Sequence, residues 1–148
     1  MAFENILVPI DGSETSYAAI DKAIEFAKGF NSKITVVQVL TLDPYIAAEY
    51  ISTSQTNELI ERAKGFLLKS LEDAKTKFAE QGVNVETRLL EGQMIHREIT
   101  RAADEINADL IIIGSHGRTG LQKLFLGSVT QSVLTEGTTP VLVIRKTA

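Results

Sequence analysis

A glycine-rich stretch that reads GSHGRTGLQKLFLGSVT, residues 114–130, carries the groups of this sequence that are best suited to chemistry. Three of its four glycines, Gly114, Gly117 and Gly127, are the ones considered for binding, and the hydroxyl residues Ser128 and Thr130 open the helix that is predicted to follow. Consecutive amide groups in a glycine turn form a concavity that binds anions. A helix N-terminus adds free N–H groups and the positive end of the helix dipole, which favour phosphate. The stretch therefore predicts a phosphate-binding loop between a buried strand and a helix.

The helix dipole alone is too weak to hold such a ligand. A helix terminus contributes roughly 0.3–1 kcal/mol towards a nearby anion, and about 2 kcal/mol when it is partly buried. Micromolar binding needs about 8 kcal/mol. We therefore expect several directed N–H bonds, burial of an apolar part of the ligand such as an adenine ring, and a cation between the phosphates.

A second stretch with binding groups is VPIDGS, residues 8–13, at the end of the first predicted strand. Ligands of open parallel sheets bind beyond the carboxyl ends of the strands, where the strand order reverses. Asp11 is placed there to accept hydrogen bonds from ribose hydroxyls or to hold a metal ion. Val39, at the end of the second predicted strand, is placed to face an adenine ring. Two loops at one switch point predict a nucleotide site more strongly than either loop alone.

Each of these groups also has an ordinary structural explanation. Residues 128–131, Ser-Val-Thr-Gln, fit the capping box of a helix, which needs no ligand. Asp11 in Asp-Gly-Ser is typical of a turn. Arg118 and Lys123 are ordinary solvated loop charges, and His116 in a loop is weak evidence for catalysis.

Short apolar runs alternate with helical periodicity along the whole chain. The predicted strands are residues 3–10, 34–40, 83–90, 109–113 and 141–144, and apolar residues recur at helical spacing over residues 18–27, 59–78 and 95–106, with a further helix predicted over 128–136. Strands that alternate with helices in this way predict a parallel, doubly wound sheet. We therefore expect an α/β fold: a single domain with a five-stranded parallel sheet and helices on both faces.

The pattern also predicts where the first helix begins and ends and which residues of the later helices face the core. Ser13 is the expected N-cap of the first helix, and Gly29 marks its expected end. His96 is expected on an exposed helix face and is given no role. The inner stripe predicted for the second helix is Leu59, Ile60, Ala63, Phe66, Leu67, Leu71, Ala74 and Phe78, and that for the third is Ile95, Ile99, Ala102, Ala103 and Ile106.

The composition excludes several classes of protein. The chain has 148 residues and no cysteine, which rules out thiol catalysis and cysteine-bound zinc. A net charge of −4 without a basic cluster argues against a nucleic-acid partner. No apolar run approaches the ~20 residues that cross a bilayer, and the opening MAFENILVPID is too short and too acidic for a signal peptide. We expect a cytoplasmic protein with no membrane partner.

The pattern Gly114-x2-Gly117-x9-Gly127-Ser128 resembles the nucleotide-binding motif of the universal stress protein family. ILVPIDGSETS near the start, NADLIIIGSHGRTGLQKLFLGSVTQSV and the terminal TPVLVIRK are similar to that family's first strand and last third. The resemblance covers essentially the whole chain, with Gln38 a mild departure where many members carry histidine. It implies the strand order 3-2-1-4-5, in which strands one and four are neighbours, and membership of the ATP-binding branch.

The resemblance also implies roles for residues of both loops. Pro9, Asp11 and Val39 would hold the adenosine, and Gly114, Gly117, Gly127, Ser128 and Val129 would hold the phosphates. The full set expected around ATP is Pro9, Ile10, Asp11, Gly12, Ser13, Val39, Ile113, Gly114, His116, Gly117, Arg118, Gly127, Ser128, Val129 and Thr130, with Asp11 also the ligand of Mg²⁺ or Mn²⁺. A homodimer would form through the last strand, Val141, Leu142, Val143 and Ile144, which would otherwise be an exposed sheet edge.

These observations favour a stress-response protein that binds ATP and acts as a nucleotide-dependent sensor or switch. An enzyme with slow ATP hydrolysis or adenylate chemistry is the alternative, although the P-loop pattern is absent and Asp11 and His116 are the only candidates nearby. A phosphorelay receiver shares the five-stranded layout, but the acidic partners that it needs near Asp11 are missing from the sequence. We assign no catalytic residue.

Overall fold

The computed structural model describes residues 3–41, 53–115 and 127–145. Strands and helices alternate in the order β1 (Asn5–Pro9), α1 (Glu14–Phe30), β2 (Lys33–Thr41), α2 (Thr53–Glu80), β3 (Val85–Gly92), α3 (Ile95–Glu105), β4 (Leu110–Gly114), α4 (Ser128–Glu136) and β5 (Val141–Ile144). The predicted α/β fold is confirmed.

The five strands form one parallel sheet with the order β3-β2-β1-β4-β5. The central strand β1 pairs with β2 on one side and with β4 on the other, where Ile6 lies opposite Leu110 and Leu7 opposite Ile111. The expected strand order is therefore confirmed, and the order reverses between β1 and β4.

Of the helices in the described residues, two pack on each face of the sheet, and parallel sheets are generally covered on both faces in this way. Alternate strand residues point to opposite faces, so β1 contributes Ile6 and Val8 to one core and Leu7 to the other. The first core includes Ile20 of α1 and Phe78 of α2, and the second includes Ile99 of α3 and Val133 of α4. Full burial of an aliphatic or aromatic side chain contributes about 1.5–3 kcal/mol. The two cores together fix the helices that approach the switch point.

The ends of the first strand and helix differ from the prediction. β1 begins at Asn5 rather than at Phe3, because Phe3 has a positive φ of 62° and packs its ring 5.3 Å from that of Phe30. α1 continues past Gly29 to Phe30 and ends at Asn31, which takes the left-handed conformation. Asparagine tolerates that conformation better than most residues, so it terminates the helix in place of the expected glycine.

The inner stripe of α2 is confirmed only over its last turns. Leu71, Ala74 and Phe78 are buried, whereas Leu59 and Phe66 are 50% and 60% exposed. The expected stripe was wider than the face that this helix presents to the sheet.

The third strand and third helix also shift slightly. β3 covers Val85–Gly92 rather than residues 83–90, and it lies at one edge of the sheet. Ile95, expected inside, is 36% exposed because it is the first residue of α3, whereas Ile99, Ala102 and Ala103 are buried. Across the described ranges, no helix is both long and apolar enough to span a bilayer.

Candidate functional site

The carboxyl ends of β1 and β4 lie side by side, and the N-termini of α1 and α4 meet them there. Gly127, the N-cap of α4, donates its N–H to the carbonyl oxygen of Ser115 at 2.7 Å. Ser115 in turn donates its N–H to the carbonyl oxygen of Ile144 at 2.8 Å. The start of α4 is therefore tied to the end of β4, and the end of β4 to β5.

The turn after β1 is built around the carboxylate of Asp11. Its Oδ1 accepts hydrogen bonds from the Ser13 N–H at 2.9 Å and from the Ser16 hydroxyl at 2.7 Å. The Asp11 N–H donates to Ser16 Oγ at 3.0 Å. Gly12 has a φ of 81°, which favours glycine. Asp11 is thus a turn residue. Because the Ser13 N–H and the Ser16 hydroxyl both donate to Oδ1, Oδ2 is the oxygen that can accept from a further donor.

Ser13 is the N-cap of α1, as predicted. Its hydroxyl oxygen accepts the N–H of Ser16 at 3.3 Å and lies 3.2 Å from the hydroxyl of Thr15. Ser16 and Thr15 are each only 5% exposed. The hydroxyls at the start of α1 therefore form one compact hydrogen-bonded group with Asp11.

The first turn of α1 packs directly against Gly114 and leaves no room for a side chain there. A Cβ at this position would lie 2.6 Å from Thr15 Oγ1, 2.8 Å from Thr15 Cβ and 2.9 Å from the Thr15 backbone carbon. The structure shows that this glycine accommodates the first turn of α1, which is a reason for glycine in addition to the predicted approach of a ligand. The close approach fixes the end of β4 against the Asp11 turn.

The start of α4 differs from the capping box that the sequence indicated. Gly127 is the N-cap, with φ −63° and ψ 155°, and no side chain caps the helix. Ser128 is therefore the first helical residue, and it is exposed. The amides of Ser128 and Val129 belong to the first turn, where a helix offers no carbonyl partner of its own.

The Thr130 side chain faces inward rather than towards the crevice. It is 3% exposed, and its hydroxyl donates to the carbonyl oxygen of Gly114 at 2.8 Å. The sequence placed this hydroxyl among the ligand donors, but in the structure it joins α4 to β4. The hydroxyl that remains exposed in this turn is that of Ser128.

The other site residues expected from the sequence differ in how deeply they are buried. Pro9, Ile10 and Ile113 are buried, and Ile113 packs in the core beneath α3 and α4. Val39 is half-buried against the same core. His116, Gly117 and Arg118 lie outside the described residues.

Three polar residues near the site were missed by the sequence reasoning. Thr15 and Ser16 belong to the run Ser-Glu-Thr-Ser after the turn, and this density of hydroxyls was the available signal. Ser115 is 1% exposed, and within the described ranges its hydroxyl has no hydrogen-bond partner. The buried Oε1 of Gln38 is likewise unpaired there.

His96 does not lie on an open helix face. Its Nε2 is 2.6 Å from Oε2 of Glu136, at the last residue of α4, and its side chain is 17% exposed. The expectation of an exposed position was wrong because α3 and α4 pack side by side on the same face of the sheet. The described residues contain no cluster of His, Cys, Asp or Glu side chains that could hold a metal ion by itself.

Comparison with known proteins agrees with this geometry. The model of the universal stress protein family matches residues 2–145. The universal stress protein YxiE of Bacillus subtilis is 36% identical over 148 residues, which cover 97% of this chain and 99% of that protein. The chain belongs to the universal stress protein family.

Solved structures share the fold over nearly the whole chain. The structure of MJ0577, described as a structure-based assignment of biochemical function, is 29% identical, has a TM-score of 0.86 and is matched over 99% of both chains. A universal stress protein in complex with cAMP is 23% identical, with a TM-score of 0.72 over 98% of both chains. The universal stress protein from Archaeoglobus fulgidus in complex with dAMP is 23% identical, with a TM-score of 0.67 over 97% of this chain and 99% of that one.

Proposed function

We propose that this universal stress protein binds ATP between the Asp11 turn and the first turn of α4, and acts as a nucleotide-dependent switch in the stress response. The observation that carries the proposal is the meeting of two helix N-termini at the switch point between β1 and β4. Open parallel sheets bind their ligands at this place. Two relatives of the same fold are described as complexes with cAMP and dAMP, which supports an adenine nucleotide.

The phosphates are assigned to the start of α4. The amides of Ser128 and Val129 and the exposed Ser128 hydroxyl are the donors of this turn. The Gly127 amide is already bonded to Ser115, so Gly127 positions the turn rather than donating to the ligand. His116, Gly117 and Arg118, which the sequence adds to this site, remain part of the proposal.

The adenosine is assigned to the side of β1 and β2. Val39 is half-buried and offers an apolar surface for the base, and Asp11 Oδ2 is the acceptor for a ribose hydroxyl. Ile113 packs in the same core as Val39, and the buried Pro9 and Ile10 lie at the carboxyl end of β1 next to Asp11.

A divalent cation would accompany the phosphates. Because the described residues offer no cluster of side-chain ligands, Mg²⁺ or Mn²⁺ would take most of its oxygen ligands from the phosphates and from water, as Mg²⁺ does at other phosphate sites. Asp11 is the carboxylate that we assign to it, in which case Oδ2 binds the cation instead of the ribose hydroxyl.

We also propose a homodimer through β5. This strand pairs with β4 on one side, and within the described ranges no strand pairs with its other side. Its residues Val141–Ile144 are all half-buried, and an apolar edge strand is a liability unless it is covered. Sedimentation velocity should give twice the chain mass of 16.2 kDa, and a species of single mass would reject the dimer.

Thermal unfolding of the purified chain tests the nucleotide proposal. ATP with Mg²⁺ should raise Tm in proportion to the logarithm of its concentration, because only the folded state binds it. GTP at the same concentrations is the matched control for the base. A Tm that ATP leaves unchanged would reject the proposal. Heat release and mass analysis of small molecules from fresh protein would identify the nucleotide that it carries from the cell.

A further inference from the structure

We propose that Thr15 is a positioning residue that couples the Asp11 turn to the first turn of α4, so that the two ends of a nucleotide bind cooperatively. The inference rests on the proposed function and deepens it. It assigns a role to a residue that neither holds the ligand nor lies on its surface.

The coupling begins in the hydroxyl group at the start of α1. Thr15 Oγ1 lies 3.2 Å from Ser13 Oγ, and Ser13 Oγ lies 3.3 Å from Ser16 Oγ. Ser16 Oγ donates to Asp11 Oδ1 at 2.7 Å. A displacement of the Asp11 carboxylate therefore moves the partners of Thr15.

The coupling continues through the contact between Thr15 and Gly114. The contact involves the Thr15 side chain and backbone together, since both lie within 2.9 Å of the Cβ position that glycine leaves empty. The Gly114 carbonyl then accepts the Thr130 hydroxyl at 2.8 Å. Thr130 belongs to the same helical turn as Ser128 and Val129.

Most residues of this path are buried, and only Asp11 and Ser13 at its outer end are half-buried. Thr15 and Ser16 are 5% exposed, Thr130 is 3% exposed, and Gly114 is buried. Close-packed interiors transmit strain because they cannot deform continuously. Coupling between sites travels through contacts of this kind, and it is measured as a factor by which one ligand changes the affinity of another.

Binding at the two ends of the nucleotide site can be measured separately with two fragments of the nucleotide, adenosine and pyrophosphate. Adenosine occupies the side of Asp11, and pyrophosphate occupies the start of α4 and leaves room for the missing α-phosphate. The dissociation constant of pyrophosphate is measured on the full chain from the amide chemical shifts of Ser128 and Val129, with and without saturating adenosine.

We expect adenosine to lower the pyrophosphate Kd by about fivefold or more in the wild-type protein, the lower end of ordinary coupling. Thr15→Val keeps the branched shape and deletes the hydroxyl, so the factor should fall to about one. Thr15→Ser keeps the hydroxyl and should retain the coupling. A purely structural role of Thr15 would weaken both fragments separately and leave the factor unchanged.

The outcomes separate this inference from the proposed function. A wild-type factor near one, or an unchanged factor in Thr15→Val, overturns the coupling while ATP binding stands. Binding of ATP without any response to pyrophosphate, alone or with adenosine, overturns it as well. A protein whose Ser128 and Val129 amides respond neither to pyrophosphate nor to ATP refutes the proposed function, and the coupling with it.

Discussion

Thr130 donates its hydroxyl proton to the carbonyl oxygen of Gly114 at 2.8 Å, and this buried bond joins the first turn of α4 to the last residue of β4. The position of the α4 N-terminus therefore depends on one side chain as well as on the backbone bond between Gly127 and Ser115. A phosphate site built from amides needs this kind of fixed support, because the direction of each N–H decides whether it reaches the ligand.

Replacing Thr130 by valine should destabilise the protein. The change keeps the branched shape and leaves the Gly114 carbonyl without its side-chain donor, which costs about 1–3 kcal/mol at a buried position. Urea unfolding measures the free energy of unfolding. Thr135→Val in the same helix is the matched control, because the Thr135 hydroxyl donates to Gln131 on an exposed surface, and it should change the stability by less than about 0.5 kcal/mol. Equal losses of stability in the two variants would show that the buried Thr130 hydrogen bond contributes no more than the exposed Thr135 hydrogen bond.

Gly114→Ala should destabilise the protein because the new methyl group meets Thr15. The backbone carbon of Thr15 lies 2.9 Å from the Cβ position, so rotation of the side chain cannot relieve the contact. Overpacking of this kind costs about 1–3 kcal/mol.

Gly65→Ala in α2 is the control for Gly114→Ala, because no described atom lies within 4 Å of its Cβ position. Alanine is favoured over glycine inside a helix by roughly 0.5–1 kcal/mol, so the two substitutions should have opposite signs in urea unfolding. A stabilising Gly114→Ala would show that the approach of α1 to β4 is looser than described.

The ion pair between Lys64 and Glu91 should make stability depend on alkaline pH. A hydrogen bond from Lys64 to Glu91 at 3.0 Å, and then the attraction of the two charges, raise the pKa of Lys64. A raised pKa in the folded state gives stability that is fully present below the ordinary lysine pKa and is lost as pH rises through the folded value. Glu91→Gln should therefore lower Tm at pH 8–9, and the difference should shrink above about pH 11. A difference that stays constant to high pH would contradict this cause.

Asp11→Ala separates a binding role from an enzymatic one. We expect the wild-type protein with ATP and Mg²⁺ to release no more phosphate than one turnover would give, because Oδ1 of Asp11 is held by the two donors of the turn and Oδ2 is assigned to binding rather than to activating water. Phosphate release is followed over several hours with a coupled assay. Repeated turnover that Asp11→Ala abolishes would favour the slow ATPase instead.

The architecture could be predicted from the sequence because its strands are short apolar runs of regular spacing. The strand order could not be predicted from the apolar pattern of the strands. It was predicted from the resemblance of the two glycine-bearing loops to the universal stress protein family. Ser13 could be predicted as the N-cap of α1 because a hydroxyl side chain just before a helix accepts a hydrogen bond from a free N–H of the first turn.

The contacts that position the site could not be predicted in the same way. Whether Thr130 faces the crevice or the Gly114 carbonyl depends on a shift of one residue at the start of α4, and the N-cap falls at Gly127 rather than Ser128. The contact of Gly114 with Thr15 depends on how α1 docks on the sheet, which periodicity does not specify.

The most direct test of the account deletes a single amide from the start of α4. Ser128→Pro removes the N–H of the first helical residue, where proline is tolerated, and Gly127 already has the extended φ and ψ that proline requires of its predecessor. Ser128→Ala removes only the hydroxyl and is the matched control.

Isothermal titration calorimetry with ATP and Mg²⁺ compares the two variants. A hydrogen bond to a charged group is worth about 1.5–3 kcal/mol, and 1.4 kcal/mol is about tenfold in Kd. We predict that Ser128→Pro weakens ATP binding by about tenfold or more relative to Ser128→Ala, with the unliganded Tm values of the two variants close together. Equal affinities of the two variants for ATP would contradict the claim that the amides of α4 hold the phosphates.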